Sequence, residues 1–412
     1  MASSKLSFLW RDLFWWLIKI FVGPPLRWFF HGQSTGKKHF PPAGKPAFLL
    51  ANHTHFLDPF MIADFIPRPI RYVVSDEYFR YSITRTLLNW LKGIPKTKDV
   101  PDSVTMRRLL EAIKRGEIIG IFPEGRRNWD GETIPLEETI PRLVQKLKIP
   151  VICVRQRGSY LSWPRWTNIP RRNRIIFDFR YLFENPEDIP SDPVQIKQMI
   201  EAELLYSELE DEKVTKHNFD HPRVAECLEL RLWICPHCRE FFVLHSARRM
   251  LGCKHCGAQW EFRGNGTFKL KKTGDPLAKG ARDFKKYIDW AHWNDKETVR
   301  IFDRLKKKGV KELVGAPARM WSASTETLRD RHYRYKGRGV AVLTSDFRLK
   351  FRRFRTRRSK VILDVSLRET TGANVVWNHK FEFYMPGMAY RFTFFGQSAY
   401  FWHFMTKYAK EH

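Results

Sequence analysis

The sequence predicts an α/β domain followed by two smaller modules, a cysteine-held ribbon and a mainly β domain that closes on a helix. Three observations carry this. Short apolar strands alternate with amphipathic helices from Pro46 to about Tyr181, the pattern of a mostly parallel or mixed sheet covered by helices on both faces. Two Cys-x-x-C pairs, Cys235/Cys238 and Cys253/Cys256, lie fourteen residues apart. From Glu312 onward the chain reads as strands, ending in one helix over Phe401–Lys410. A length of 412 residues accommodates two to four domains at roughly 100–200 residues each.

Each element has a local reason. PAFLLAN is an apolar strand over Ala47–Ala51, and PFMIADF is a short helix closed by Pro67. RPIRYVVS is the next strand. SVTMRRLLEAIKRG is an amphipathic helix that Ser103 is placed to cap and Gly116 to end. EIIGIFPEG is a strand running into a loop, IPRLVQKLK a helix and PVICVRQRG a buried strand. A helix from about Ser191 to Asp211 closes the domain. After the ribbon, KKTGDPLAKG reads as a linker, and helical stretches follow at Phe284–Ala291 and Thr298–Lys308. The expected organisation is an interfacial segment over 1–35, the α/β domain over 36–215, the ribbon over 228–272, a helical linker over 283–310 and the basic β domain over 312–412.

Charge and aromatics point to the partner. Lys and Arg number 73 against 44 Asp and Glu, a formal charge of +29, with 15 Trp and 32 Phe. Such an excess calls for an anionic partner, nucleic acid or an acidic membrane surface. The segment Phe8–Phe30 favours the membrane. It is apolar and Trp-rich, but Arg11, Asp12 and Lys19 interrupt it, and Gly23, Pro24 and Pro25 should break any helix. That describes a helix lying in the interface; the alternative is a core helix of the first domain. No uncharged apolar run reaches the roughly 18 residues a spanning helix needs, and no secretory signal is expected. A nucleic-acid-binding protein has no use for the interfacial segment, which argues against that partner.

The chemistry concentrates in NHTHFLD, Asn52–Asp58, which follows the first strand. Pro59 suits the first helical position, so Asp58 is expected at the helix N-cap. His53 then lies in the strand-to-helix loop, at the strand end where open α/β sheets bind ligands. An Asp held on one imidazole nitrogen fixes the tautomer and raises the basicity of the other; the plainer reading leaves Asp58 as a helix cap alone. FPEGRRN, Phe122–Asn128, ends another apolar strand. Glu124 offers a carboxylate for a hydroxylated substrate, Gly125 lets backbone approach closely, and Arg126 and Arg127 offer planar forks for phosphate. Between them GIPKTK carries Lys96 and Lys98.

NHTHFLD, GIPKTK, FPEGRRN and KIPVICVRQRG together resemble the four ordered motifs of the glycerolipid acyltransferases, the lysophosphatidate acyltransferase group, over about Gly44–Leu182. The resemblance implies a general base at His53 oriented by Asp58, an acceptor held by Glu124, Gly125 and Arg127, and a phosphate contact at Lys98 with Lys96 beside it. It implies transfer of a fatty acyl group from a thioester, on coenzyme A or acyl carrier protein, to the hydroxyl of a lysophosphatidate-type lipid, with no catalytic cofactor and at the cytoplasmic face of a membrane as a peripheral, monotopic protein. Another lysolipid or glycerol 3-phosphate as acceptor stays open. Two departures bear on the acceptor: Lys-Thr-Lys stands where the family has an Arg-centred motif, and Arg126 stands where Thr is common.

The Cys235, Cys238, Cys253 and Cys256 spacing resembles a zinc ribbon, a closed four-thiolate structural site that implies a reducing compartment. His237 and His255 are expected to be spectators, and Cys153, in an apolar strand, a buried small hydrophobe. Residues Arg331–Lys360 hold twelve Lys or Arg against the single acid Asp346. In RLKFRRF the bases alternate with apolar residues, so one strand face is cationic. The GVAVLTSDFRLKF segment and the closing helix resemble a pleckstrin-homology or GRAM-like domain, which implies anionic lipid headgroups as partner.

Overall fold

The computed structural model describes residues 13–36, 40–80, 82–96, 103–217, 219–324, 333–354 and 360–412. The chain folds as two compact units. The first holds the described residues up to 165 together with 170–220; the second holds 166–169 and 221–412.

The first unit opens with helices α1 (residues 13–21) and α2 (Gly23–Phe29). Then follow β1 (Gln33–Gly36), β2 (Ala47–Ala51), α3 (Asp58–Asp64), β3 (Ile70–Ser75), α4 (Ser82–Trp90), β4 (Ile94–Lys96), α5 (Ser103–Lys114), β5 (Ile118–Ile121), α6 (Thr139–Leu147), β6 (Val151–Arg157), α7 (Ser159–Ser162), β7 (Ile176–Phe183), α8 (Pro193–Leu204) and α9 (Glu212–Thr215). The sheet order is β1-β7-β6-β2-β5-β3-β4. Every pair is parallel except β6 with β7.

Strand β2 is buried along its whole length, as a central parallel strand must be. Its alternate side chains serve two cores. Phe48 and Leu50 pack with Ile119, Ile121 and Val151 against α5, α6 and α8. Ala47, Leu49 and Ala51 pack with Ile152, Phe177 and Phe179 against Met61 and Ile62 of α3. Cys153 lies in the first of these cores, as a small hydrophobe.

Several expectations need correction. The first helix does break at the Gly23-Pro24-Pro25 run, but after one turn residue, Val22, a second helix, α2, starts with these prolines in its first turn, where no intrahelical N–H is needed. The N-terminal segment is also not wholly free for an interface. Trp15 and Phe30 are buried, Arg27 pairs with Asp64 at 3.2 Å, and Lys19 donates to the Ile66 carbonyl. The opposite side exposes Leu13, Trp16, Leu17, Ile20, Phe21 and Trp28, the last two at 68% and 66%. Trp10, Arg11 and Asp12 lie outside the described residues. Helix α8 is shorter than Ser191–Asp211. Asp192 caps its start, accepting from Val194 N–H at 2.9 Å. Beyond Leu204 the chain leaves the helix and bonds to Thr133 instead. No helix of the described residues is long and apolar enough to cross a membrane.

The second unit contains an antiparallel sheet of β8 (Leu244–Ala247), β9 (Met250–Cys253), β10 (Gln259–Phe262) and β11 (Phe268–Lys272), in the order β11-β10-β9-β8. KKTGDPLAKG is not a loose linker. Gly274 N–H donates to His237 Nδ1 at 3.1 Å, and the N–H groups of Asp275 and Ala278 reach the carbonyls of Cys256 and His237. The two expected helical stretches are one helix, α10 (Tyr287–Lys307). Its polar middle is continuous because it is buried and satisfied. Asn294 accepts from both Trp233 and Ile234 N–H at 3.0 Å, and Thr298 accepts the Trp233 indole N–H at 2.8 Å.

The last part is a seven-stranded antiparallel sheet. Its strands are β12 (Glu312–Ser324), β13 (Arg334–Thr344), β14 (Arg348–Arg353), β15 (Lys360–Ser366), β16 (Gly372–Val376), β17 (Lys380–Met385) and β18 (Met388–Phe394), in the order β15-β14-β13-β12-β18-β17-β16. Helix α11 (Ala399–Glu411) closes it, stacking Trp402 on Phe394. The middle strand, β12, is the one sequence patterning passes over. Its Pro317 is tolerated because β18 pairs only from Ala318 onward. In β14, Leu349 and Phe351 are buried while Arg348, Lys350 and Arg352 face outward. Those bases are partnered, the first two with Asp364 and the third with Glu312. Within the basic stretch 331–360, the exposed cations among the described residues are Arg334, Lys336, Arg338, Arg353 and Lys360; residues 331 and 355–359 lie outside the described residues.

Candidate active site

The site is built at the C-terminal ends of the central strands β2, β5 and β6. After β2 the chain turns through Asn52–Leu57, and Asn52 is locked to β6 by a reciprocal pair of amide bonds. Gln156 N–H donates to Asn52 Oδ1 at 2.7 Å, and Asn52 Nδ2 donates to the Gln156 carbonyl at 3.2 Å. This fixes where His53 leaves the sheet.

Asp58 is fully buried and does not cap α3. It is the first helical residue, and the N-cap is Leu57. Its carboxylate turns back into the loop. One oxygen accepts Thr54 N–H at 2.8 Å and His55 N–H at 3.0 Å and lies 2.8 Å from His53 Nδ1. The other accepts Thr54 Oγ1 at 3.2 Å and Ser159 Oγ at 3.4 Å. Burial works to raise the Asp58 carboxyl; the charges of His55 and His53 and the hydrogen bonds from His53 and Thr54 outweigh it and hold it below the usual carboxylate range. An ionised Asp58 only accepts, so His53 carries its proton on Nδ1 and keeps its lone pair on Nε2. Burial lowers the His53 pKa, Asp58 opposes this, and the charges of Arg127 and Arg165 lower it further. The imidazole therefore stays neutral near pH 7. Phe122 stacks on it at 4.1 Å between centroids.

Glu124 follows β5, in the loop that faces His53. It is buried, with Oε1 accepting His53 N–H at 2.6 Å and Oε2 accepting Ile134 N–H at 2.9 Å. Its carboxyl ties two loops together, and burial pushes it up to about 8. Gly125 has φ +64°, and a side chain there would strike Glu137. Arg126 and Arg127 are half-buried; the charge of Arg126 acts on Glu124 and that of Arg127 on His53. Lys96 ends β4, on the same rim but three strands from β2, roughly 14 Å at ordinary strand spacing. Lys98 lies outside the described residues.

Sequence reasoning passed over several members of this site. Asn128 donates through N–H and Nδ2 to the His53 carbonyl at 3.2 and 3.3 Å. Ser159, following Gly158 at the end of β6, lies 2.6 Å from Thr54 Oγ1. The position of Ser159 just past an apolar strand was the available signal; for Asn128 only its place in the motif was.

The four ribbon cysteines form a second cluster. All four sulfurs lie within 4.8 Å of one another, with Cys235–Cys256 at 3.8 Å and Cys238–Cys253 at 3.7 Å. A tetrahedral zinc thiolate, with Zn–S of about 2.3 Å, spaces its sulfurs by about 3.8 Å, so the donors fit that ion. His237 is engaged elsewhere, with Nε2 2.6 Å from Asp283, and His255 is exposed.

Residues 31–156 match the family model for acyltransferases, and His53, Asp58 and Glu124 all lie within the matched stretch. The chain is 25% identical over 128 residues to the 1-acyl-sn-glycerol-3-phosphate acyltransferase of Bacillus subtilis, covering 31% of this chain and 63% of that protein. It is 20% identical over 151 residues to the chloroplastic 1-acyl-sn-glycerol-3-phosphate acyltransferase BAT2 of Brassica napus, covering 36% and 44%. It thus spans less than two thirds of either relative. Among solved structures, the 1-acyl-sn-glycerophosphate acyltransferase of Thermotoga maritima aligns over 47% of this chain and 78% of its own, at 20% identity and a TM-score of 0.41.

Proposed function

We propose that this protein is a membrane-associated acyltransferase. It moves a fatty acyl group from an acyl thioester, on coenzyme A or acyl carrier protein, to the hydroxyl of a lysophosphatidate-type glycerophospholipid. The observation that carries the reading is the His53–Asp58 pair: a neutral imidazole whose Nδ1 is held by a buried, ionised carboxylate and whose Nε2 is left basic. Nε2 takes the proton of the acceptor hydroxyl as its oxygen attacks the thioester carbonyl. The tetrahedral adduct collapses to the ester with loss of the thiolate, which receives the proton from the imidazolium. Such base catalysis accounts for roughly 10²–10⁴-fold in rate.

Arg126, Arg127, Lys96 and Lys98 serve the acceptor phosphate, while Glu124 acts through the loops it ties rather than on the hydroxyl. The four ribbon cysteines hold one structural zinc. The exposed apolar residues of α1 and α2, with the bases of a pleckstrin-homology or GRAM-like C-terminal domain, hold the protein to an anionic membrane at its cytoplasmic face.

The test is to incubate purified protein with labelled acyl-CoA or acyl carrier protein and a panel of lysolipids including glycerol 3-phosphate, identifying products by mass spectrometry. A phosphatidate product from the lysophosphatidate acceptor is expected, abolished by His53→Ala and nearly so by Asp58→Asn, with circular dichroism unchanged. Substantial transfer by folded His53→Ala, or no ester formed with any acceptor, refutes the reading.

A further inference from the structure

We propose that Arg165, thirty-eight residues beyond Arg127, is a positioning residue of the acyltransfer site, fixing the Arg127–Trp129 segment against His53. The inference rests on the acyltransferase reading and deepens it.

The segment is held from both sides. Asn128 grips the His53 carbonyl through two donors. From the other side, Arg165 Nη1 donates to the Arg127 carbonyl at 2.6 Å, and the Arg165 guanidinium lies 4.7 Å from the centroid of the Trp129 ring. Tyr160 OH donates to the Trp129 carbonyl at 2.8 Å. The clamp is itself anchored, because buried Glu208 accepts the N–H groups of Tyr160 and Leu161. Arg165 is 8% exposed, yet a guanidinium stays charged on burial. A planar fork that hydrogen-bonds a carbonyl while lying over an indole is a geometry lysine does not reproduce.

The position has an electrostatic consequence beyond support. His53 is faced by Asp58 from α3, by His55 from its own loop, by Glu124 and Arg127 from the loop after β5, and by Arg165 from the segment after α7. Both arginines disfavour the imidazolium. Arg165 therefore keeps His53 in its basic form to lower pH, and its backbone contact sets where the Arg127 side chain stands.

Three variants separate these roles: Arg165→Gln, Arg165→Lys and Tyr160→Phe, the last loosening the same segment without removing charge. In Arg165→Gln, kcat/KM for the lysolipid acceptor should fall roughly 10- to 100-fold, the scale of a small misplacement. Acceptor KM should rise with donor KM unchanged, and the acid limb of the pH–rate profile should move to higher pH. Arg165→Lys should restore the limb but not the KM. Tyr160→Phe should lose activity with the limb unmoved. The His53 imidazole is also titrated by NMR on ¹³C-histidine-labelled protein without substrate, with its pKa expected to rise in Arg165→Gln alone. This readout stands even if no acyl transfer is found, so failure of the acyltransferase reading and failure of this inference are distinguishable. Unchanged His53 titration in Arg165→Gln, or the same shift in Tyr160→Phe, overturns the proposal. If Arg165→Gln does not fold, an Arg165→Lys protein with wild-type acceptor KM overturns it equally.

Discussion

Glu124 bonds the N–H of His53 with one oxygen and the N–H of Ile134 with the other. Glutamine has one acceptor, so Glu124→Gln leaves one buried N–H facing an NH₂ group. The expected cost is about 1–3 kcal/mol of stability, along with activity lost through a loosened His53. The deficit should depend on pH. In the folded protein the carboxyl titrates at about 8, against an ordinary value of 4.5. The unfolded chain therefore releases its proton first, and wild-type stability from this group falls as pH rises from 4.5 towards 8. The deficit of Glu124→Gln should be largest near the bottom of that window and shrink towards its top. Denaturant midpoints at both ends check this; a constant deficit would mean Glu124 is ionised throughout. Asp58 behaves in the opposite sense: its carboxyl is depressed, so its contribution is lost only as pH falls through that depressed range.

At the scale of elements, the ribbon and α10 fold as one piece. Trp233 and Ile234, just before the first cysteine pair, are bonded to Asn294 and Thr298 of the helix, and Trp260 packs edge-on against Trp290. One zinc per chain is expected by metal analysis of fresh protein, lost in Cys235→Ser. Structural thiolate sites contribute folding free energy directly, on the order of 10–16 kcal/mol apparent in small finger peptides. Chelation should therefore collapse the near-ultraviolet signal of Trp233, Trp260 and Trp290 together, rather than melt the sheet alone. Protein free of metal with that signal intact would refute the zinc assignment.

For the whole molecule, the +29 charge and the apolar side of the N-terminal helices predict two-part membrane attachment. Single weak anchors bind reversibly, and two bind stably. Deleting the N-terminal segment is a poor test, because Trp15 and Phe30 are buried in the protein core and Arg27 pairs with Asp64. Replacing Ile20 and Phe21 with serine spares that packing, including the contacts of Trp16 with Trp15 and of Trp28 with Arg172. The substituted protein should bind anionic vesicles at low salt only, because attraction to a surface fades as the Debye length shortens to about 10 Å at 0.1 M. The wild type should resist salt extraction and yield to detergent. Reversing charge at the exposed Arg334, Lys336, Arg338 and Arg353 should abolish the low-salt binding; Arg348 and Arg352, already paired with acids, should matter less. Vesicle binding unchanged by both sets of substitutions would place the contact elsewhere.

The sequence by itself determined most of the order of strands and helices from β2 to β6, because apolar periodicity and breakers act within a few residues; helix α4 and the three-residue strand β4 escaped it. It picked out the four cysteines that come together, because metal-ligand spacing is a local code, and it singled out His53 and Asp58 by their five-residue separation. The tertiary structure alone decided the rest. Whether Asp58 caps a helix or turns onto His53 depends on Thr54 and Ser159 being there to share its oxygens. Whether Glu124 meets substrate or backbone depends on Ile134 folding over it. Arg165 reaches Arg127 across thirty-eight residues, and β12 finds its place in the centre of a sheet only when β13 and β18 close on either side. Ser159 and Arg165 come from far along the chain, and even the nearer partners, Thr54 and Ile134, are set in place by how the loops fold rather than by a helix or strand pattern. A buried polar group takes whichever partner the fold brings within hydrogen-bond distance, because leaving it unpaired costs more than any local preference supplies.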